Sequence, residues 1–307
     1  MIGSSELHAI IKLLDDTDPE VLVIVEQKLL SEADSIVDEL EKIWLENTYS
    51  DLNPRIEEIL KLIQKRKLHQ DIKNWLKGDI QTALSAWVLC SRIQYPGLTL
   101  GMVRTHLNQL KIDAWIKLSG VRNPLDQINV LNHVIFEAYG FKGNNDNYHD
   151  PDNSIITRVL ETKTGNPISL AILYMSLAND LGIPLFGINL PQHFILGYCR
   201  LHSLPDDNGY YAVTDISNDN VSSVLFYLNP FSKGQIFSQE SIDAFLKVIN
   251  VDEQPAFYQA CEVLDIFKRI LRNMYFSFGE EKNFVKQEEV AEIMEIVGIS
   301  KPNSSFD

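Results

Sequence analysis

Apolar residues recur at helical spacing from the start of the chain. Leu7, Ile10, Ile11, Leu13 and Leu14 recur at the three-and-four spacing that gathers side chains on one face of a helix. Asp18-Pro19-Glu20 then supplies an N-cap residue, a proline for the first helical position and an acid for the first turn. An apolar helix is expected over 21–30. A third spans 33–46, with Ile36, Val37, Leu40, Ile43 and Trp44 inward, and Asn53-Pro54 opens a fourth that buries Ile56, Ile59, Leu60 and Ile63. Shorter helical patterns follow near 72–76, 80–93 and 102–110, so residues 6–118 read as consecutive helices.

The pattern changes after Gly120. A helix is expected over 125–139, then a polar loop over 143–154, a helix over 155–161, and a strongly apolar helix over 168–181 that Gly182 and Pro184 stop. The next runs are β: 185–190, 194–199, 210–213 and 224–228, parted by Pro191, Pro205 and Asn208-Gly209. Helix returns over 256–278 and 284–297, with Gly279 between. The fold class expected is α+β. Its parts are an N-terminal helical bundle over 1–118, an α+β core with an antiparallel sheet over 119–250, and a C-terminal helical hairpin over 251–307. The first helix pair resembles a HEAT-type repeat, and the last pair a tetratricopeptide-type hairpin. One such hairpin cannot bury its own apolar face and is expected to dock on the rest of the chain. The N-terminal helices serve either as a packing domain or as a concave surface for a protein or peptide partner.

Composition narrows the classes. The 307 residues are 45% hydrophobic and 22% charged, ordinary for a globular protein. A formal net charge of −15 repels phosphate backbones, which argues against general nucleic-acid binding. The one basic cluster, Lys65-Arg66-Lys67, reads as a solvated helix end. Three cysteines, Cys90, Cys199 and Cys261, are too few and too scattered for a disulfide framework or a zinc site. With no signal-like start and no apolar run long enough for a membrane span, a cytoplasmic protein is expected. The loop over 146–152 lacks the glycine of a calcium loop, and Thr157 stands where its glutamate belongs. His149 has no second histidine at ligand spacing. No metal and no cofactor is expected.

Candidate chemistry gathers between Gly165 and Phe194. Asn166 suits an N-cap and Pro167 the first helical position, which places a helix N-terminus, with its unpaired N–H groups, at residue 167. His193 begins the second strand and Asn229 ends a later one. A helix N-terminus, a strand histidine and a strand asparagine are the three points of a cysteine–histidine–asparagine triad.

Gly165-Asn166-Pro167-Ile168-Ser169-Leu170, Leu181-Gly182-Ile183-Pro184 and Leu190-Pro191-Gln192-His193-Phe194 resemble the transglutaminase-like core of the SirB-type family. Gly140-Phe141-Lys142-Gly143-Asn144, with Tyr148, Asp150-Pro151 and Asn153-Ser154, is similar to that family too. So is Asn229-Pro230-Phe231, where the family has Asp-Pro-Phe. The resemblance covers about 125–246. The helical N-terminal region resembles the version of the family seen in bacteria of the Bacteroidetes kind.

The resemblance implies a papain-like core in which Pro167 takes the place of the nucleophilic cysteine. Proline has no nucleophile and no N–H for an oxyanion hole. What remains is a site with His193 as the histidine, Asn229 as its orienting partner, and Gln192, Asn166, Asn144 and Tyr148 as ligand-binding residues. Such a site fits a non-catalytic binding module. The alternative is a hydrolase or acyl-transferase with Ser169 as nucleophile, His193 as base and Asn229 as orienter. Ser169 lies roughly 200° around the helix axis from residue 167 and is expected to close a cap with Asn166. Cys199 lies about 20 Å along the strand from His193, too far for a dyad. Two other expectations stand beside these: His193 as a structural histidine, and the whole core as a packing unit.

Overall fold

The computed structural model describes residues 3–205 and 221–301. The chain divides into two compact units, 1–74 and 75–307. The first division falls inside a helix, whereas the sequence pattern places it at 118.

The first unit holds α1 (Ser4–Lys12), α2 (Pro19–Ser31), α3 (Ala33–Leu45) and most of α4 (Asn53–Lys77). Asp18 caps α2 by accepting from the Glu20 N–H at 2.9 Å. The apolar stripes meet in one core, with Leu7, Leu29, Ile36, Leu40 and Ile56 almost fully buried. The short helix expected over 72–76 is the end of α4, whose polar middle, Lys65-Arg66-Lys67, does not interrupt it.

In the second unit, α5 (Ala83–Ser91) and α6 (Leu100–Leu118) lead into α7 (Pro124–Asn132), which continues as a π turn over His133–Ala138. These helices pack on the core: α5 lies against the central helix, and α6 against α7. A pair of two-residue strands follows, β1 (Lys142–Gly143) and β2 (Thr164–Gly165), parallel, with Gly143 opposite Gly165. Between them are the polar loop and α8 (Ile156–Thr162).

The central helix is α9 (Pro167–Asp180). It is buried nearly all round, from Ile168 through Ala178, and therefore has no polar stripe. Its end is a Schellman motif: Gly182, at φ 74°, donates to Asn179, and Ile183 donates to Ala178.

The sheet is an antiparallel meander of β3 (Leu185–Asn189), β4 (Phe194–Leu201), β5 (Val221–Asn229) and β6 (Gln235–Phe237). The strand expected over 210–213 lies outside the described residues. Alternation gives the sheet two faces. Phe194, Leu196, Tyr198 and Leu228 lie on the face that α9 covers, where the Tyr198 hydroxyl donates to Gln127 at 2.8 Å. Ile188, Leu190, Ile195 and Tyr227 face α10 (Gln239–Val248), which buries Ile242 and Leu246 against them.

The C-terminal pair, α11 (Val263–Glu280) and α12 (Phe284–Ile296), docks on this core. Phe267 meets Trp75 edge-on at 5.1 Å, and Lys286 donates to the Ile93 carbonyl at 2.7 Å.

Candidate functional site

The N-terminus of α9 is locked by its own side chains. Asn166 accepts from the Ser169 N–H at 2.9 Å, and the Ser169 hydroxyl donates back to the Asn166 carbonyl at 3.0 Å. The Asn166 amide also donates to the Ser154 hydroxyl at 2.8 Å, tying the helix to the polar loop. A Cβ added at Gly165 would lie 2.5 Å from Ser169 Oγ, so only glycine leaves room for this cap.

The polar loop is tied down just as fully. Asn144 donates to Asn153 and accepts from the Asn147 N–H, while Asn153 donates to the Asn147 and Tyr148 carbonyls. Asp150 caps a short 3-10 turn, Pro151–Ser154. Trp87 fixes the end of that turn by donating to the Ser154 carbonyl at 2.6 Å.

A pocket opens where these parts meet α11. Its floor is Asn166, Pro167 and Ile168. One wall is Tyr148 and His149, another is Gln192 and Phe194, and the third is Arg269, Arg272, Asn273 and Phe276. Water-sized molecules can place their centres within about 90 Å³ of it.

The structure brings Asn166, Gln192 and Tyr148 together here. Asn144 is not among the lining residues; it is a strut of the loop. Ser169 is buried, with its hydroxyl spent on the cap. His193 also does not line the pocket. Gln192 and His193 lie in the turn just before β4; Gln192 and Phe194 line the pocket, while His193 turns to the α10 side. There its ring packs 4.7 Å from that of Phe245. Gln192 takes a left-handed φ of 60° at this turn. Asn229 is engaged elsewhere, accepting from the Phe231 N–H at 3.0 Å and donating to Ser232. No hydrogen bond joins Ser169, His193 and Asn229 among the described residues.

His193 stays open to solvent on one side. Partial burial, together with the nearby positive Arg269, holds its imidazole pKa below the ordinary value. No cysteine lines the pocket. Burial pushes the Cys199 and Cys261 thiols up to about 12 and Cys90 upward as well. No group of three or more histidine, cysteine, aspartate or glutamate side chains suited to a metal occurs among the described residues.

The sequence reading misses Arg269 and Arg272. The available signal was weak: two arginines three apart on the polar face of an amphipathic helix that also carries Asp265, Lys268 and Asn273.

Comparison with known proteins places this geometry. The model of the transglutaminase-like superfamily matches residues 102–272. The chain belongs to the transglutaminase-like superfamily. The match takes in most of α6 through the first half of α11, and so the pocket residues from Tyr148 to Arg272 but not Asn273, Phe276 and Ser277. Among relatives, a UPF0162 protein of Xylella fastidiosa (strain 9a5c) is 27% identical over 205 residues, covering 62% of this chain and 63% of that protein. A UPF0162 protein of Vibrio cholerae is 28% identical over 151 residues, 49% of this chain and 48% of that protein. F-box only protein 21 of Mus musculus is 29% identical over 155 residues, 50% of this chain and 22% of that protein. The chain thus spans less than two thirds of the length of each of these relatives. No solved structure matches. No described helix is long and apolar enough to cross a membrane.

Proposed function

We propose that this transglutaminase-like protein is a non-catalytic binding module, its cleft taking a ligand or peptide and its helical flanks a protein partner. The observation that carries this reading is Pro167 at the first position of α9, on the floor of the pocket. There the resemblance calls for a nucleophilic cysteine, and proline has neither a nucleophile nor an N–H. Two further features support it. The Ser169 hydroxyl is engaged in the cap, and His193 faces Phe245 across the sheet.

The test is an assay of peptide-amide hydrolysis, ester hydrolysis and glutamine–amine transfer by the full chain and by His193→Ala. Both are expected to match buffer alone. Activity that survives thiol alkylation and disappears in His193→Ala would overturn the reading in favour of Ser169-His193-Asn229 chemistry.

A further inference from the structure

Arg269 and Arg272 stand one turn apart on α11, and both line the pocket. Arg269 donates twice, to Asn189 Oδ1 at 2.7 Å and to the Leu190 carbonyl at 2.8 Å, both through Nη1. Its Nε and Nη2 bond to nothing among the described residues, although a guanidinium carries five donors. The groups that act on its charge are burial, Tyr148, Arg272 and Cys261; none is a carboxylate. Arg272 makes no hydrogen bond or ion pair with any described residue. Arg158, by contrast, holds Asp152 at 2.7 Å and Glu161 at 2.6 Å.

Two neighbouring guanidiniums beside a cavity, one of them held below its ordinary pKa by burial and by the other's charge, are costly to keep. Like charges three apart on a helix repel, and partial burial strengthens the repulsion. An anion in the pocket would remove this cost and take up the idle donors.

We propose that the pocket binds a small organic carboxylate, its oxygens held by Arg269 and Arg272. Gln192 and Asn273 offer amides to the polar remainder of the ligand, and Ile168 and Phe276 offer apolar wall. This is the chemistry of a peptide C-terminus or a free acyl-amino acid. Planar carboxylates match guanidinium forks, two bonds at a time. A phosphoryl group fits less well. It calls for several backbone N–H groups at a helix start, and here the first helical position is a proline without one. The proposal rests on the cleft being a binding site, as in the reading above, but not on the absence of catalysis.

The experiment is calorimetric titration of the full chain, at fixed ionic strength, with N-acetylglycine, N-acetylglycinamide and inorganic phosphate. N-acetylglycine is expected to bind about tenfold or more tighter than its uncharged amide, because hydrogen bonds between charged partners are the strong ones. Arg272→Gln, which removes no hydrogen bond or ion pair among the described residues, is expected to erase that preference. Arg269→Gln is a second variant, informative only if circular dichroism shows it folded. A short peptide with a free C-terminus, compared with the same peptide amidated, separates a peptide end from a free acyl-amino acid; preference for the free acid in either format supports the proposal. Equal binding of acid and amide, no binding of either, or tighter binding of phosphate overturns it. So does an acid preference that persists in Arg272→Gln. Hydrolysis by the wild type alongside acid binding would sink the non-catalytic reading and leave this one standing. Silence in both assays would do the reverse.

Discussion

Replacing Asn166 with alanine tests the locked start of α9 most directly. Asn166 is 5% exposed and makes two side-chain bonds, from the Ser169 N–H at 2.9 Å and to Ser154 Oγ at 2.8 Å. Loss of an asparagine N-cap costs about 1 kcal/mol. Ser154 is itself 1% exposed, so losing its donor leaves a buried hydroxyl short of a partner, at roughly 1–3 kcal/mol. Together the substitution should remove about 2–4 kcal/mol. With a urea dependence near 2 kcal/mol per molar, the unfolding midpoint should fall by about 1–2 M. Urea titration followed by tryptophan fluorescence is the assay, since buried Trp87 donates to the Ser154 carbonyl beside the lost bond. Asn166→Asp is the informative contrast. It keeps the acceptor, places a negative charge at a helix N-terminus, and lets the Ser154 hydroxyl turn round and donate. It should cost clearly less than alanine. A midpoint change below about 0.3 M for alanine, or an aspartate variant as damaged as alanine, would refute the account. So would additivity with Ser154→Ala, since residues sharing a bond should couple.

Gly165→Ala should destabilise by about 1–3 kcal/mol through the overlap with Ser169 Oγ and cost less in a Ser169→Ala background; equal cost in both backgrounds would show that the hydroxyl is not the obstacle. The His193 pKa, followed by NMR, should lie below the ~6.5 of an ordinary imidazole and rise in Arg269→Gln. Because the folded pKa is the lower of the two, the unfolded chain takes up the proton first. This residue's contribution therefore favours folding above pH ~6.5 and weakens as pH falls through the folded value; a His193 pKa unmoved by Arg269→Gln would refute the coupling. Iodoacetamide at pH 7.5 should label Cys90, Cys199 and Cys261 only slowly in the native chain and all three readily in urea, because burial holds each thiol far above that pH. One fast-labelling native cysteine would contradict this.

The features legible in the sequence are those set by near neighbours. Asp18-Pro19, Asn166-Pro167 and Gly182 mark helix ends through contacts one to five residues away, and each end falls within a residue or two of its expected place. The apolar stripes of α1 to α3 likewise define their own core. The face of His193 was not legible. It depends on where the turn before β4 ends, and Gln192 in its left-handed conformation sets that point. The parallel pair β1 and β2 is two residues long and leaves no periodic trace. The helix α10 was missed although Ile242, Phe245, Leu246 and Ile249 carry its stripe, because the run lies just after strands and before a longer helix. The pocket's cationic wall needed tertiary structure, since α11 reaches the start of α9 only in the folded chain.

The turn before β4 also bears on how this cleft can change under mutation. Gln192 and His193 are adjacent, yet one reaches the pocket and the other the far side of the sheet. Placing a thiol at residue 167 would therefore not place an imidazole opposite it. That needs a second event, such as Gln192→His or a one-residue shift of the turn, which flips every side chain of the strand. Neither change alone supplies a nucleophile and its base together. In evolutionary terms the locked cap and the turn before β4 form a two-step ratchet: a thiol at residue 167 and an imidazole facing it are two changes away from this arrangement, not one.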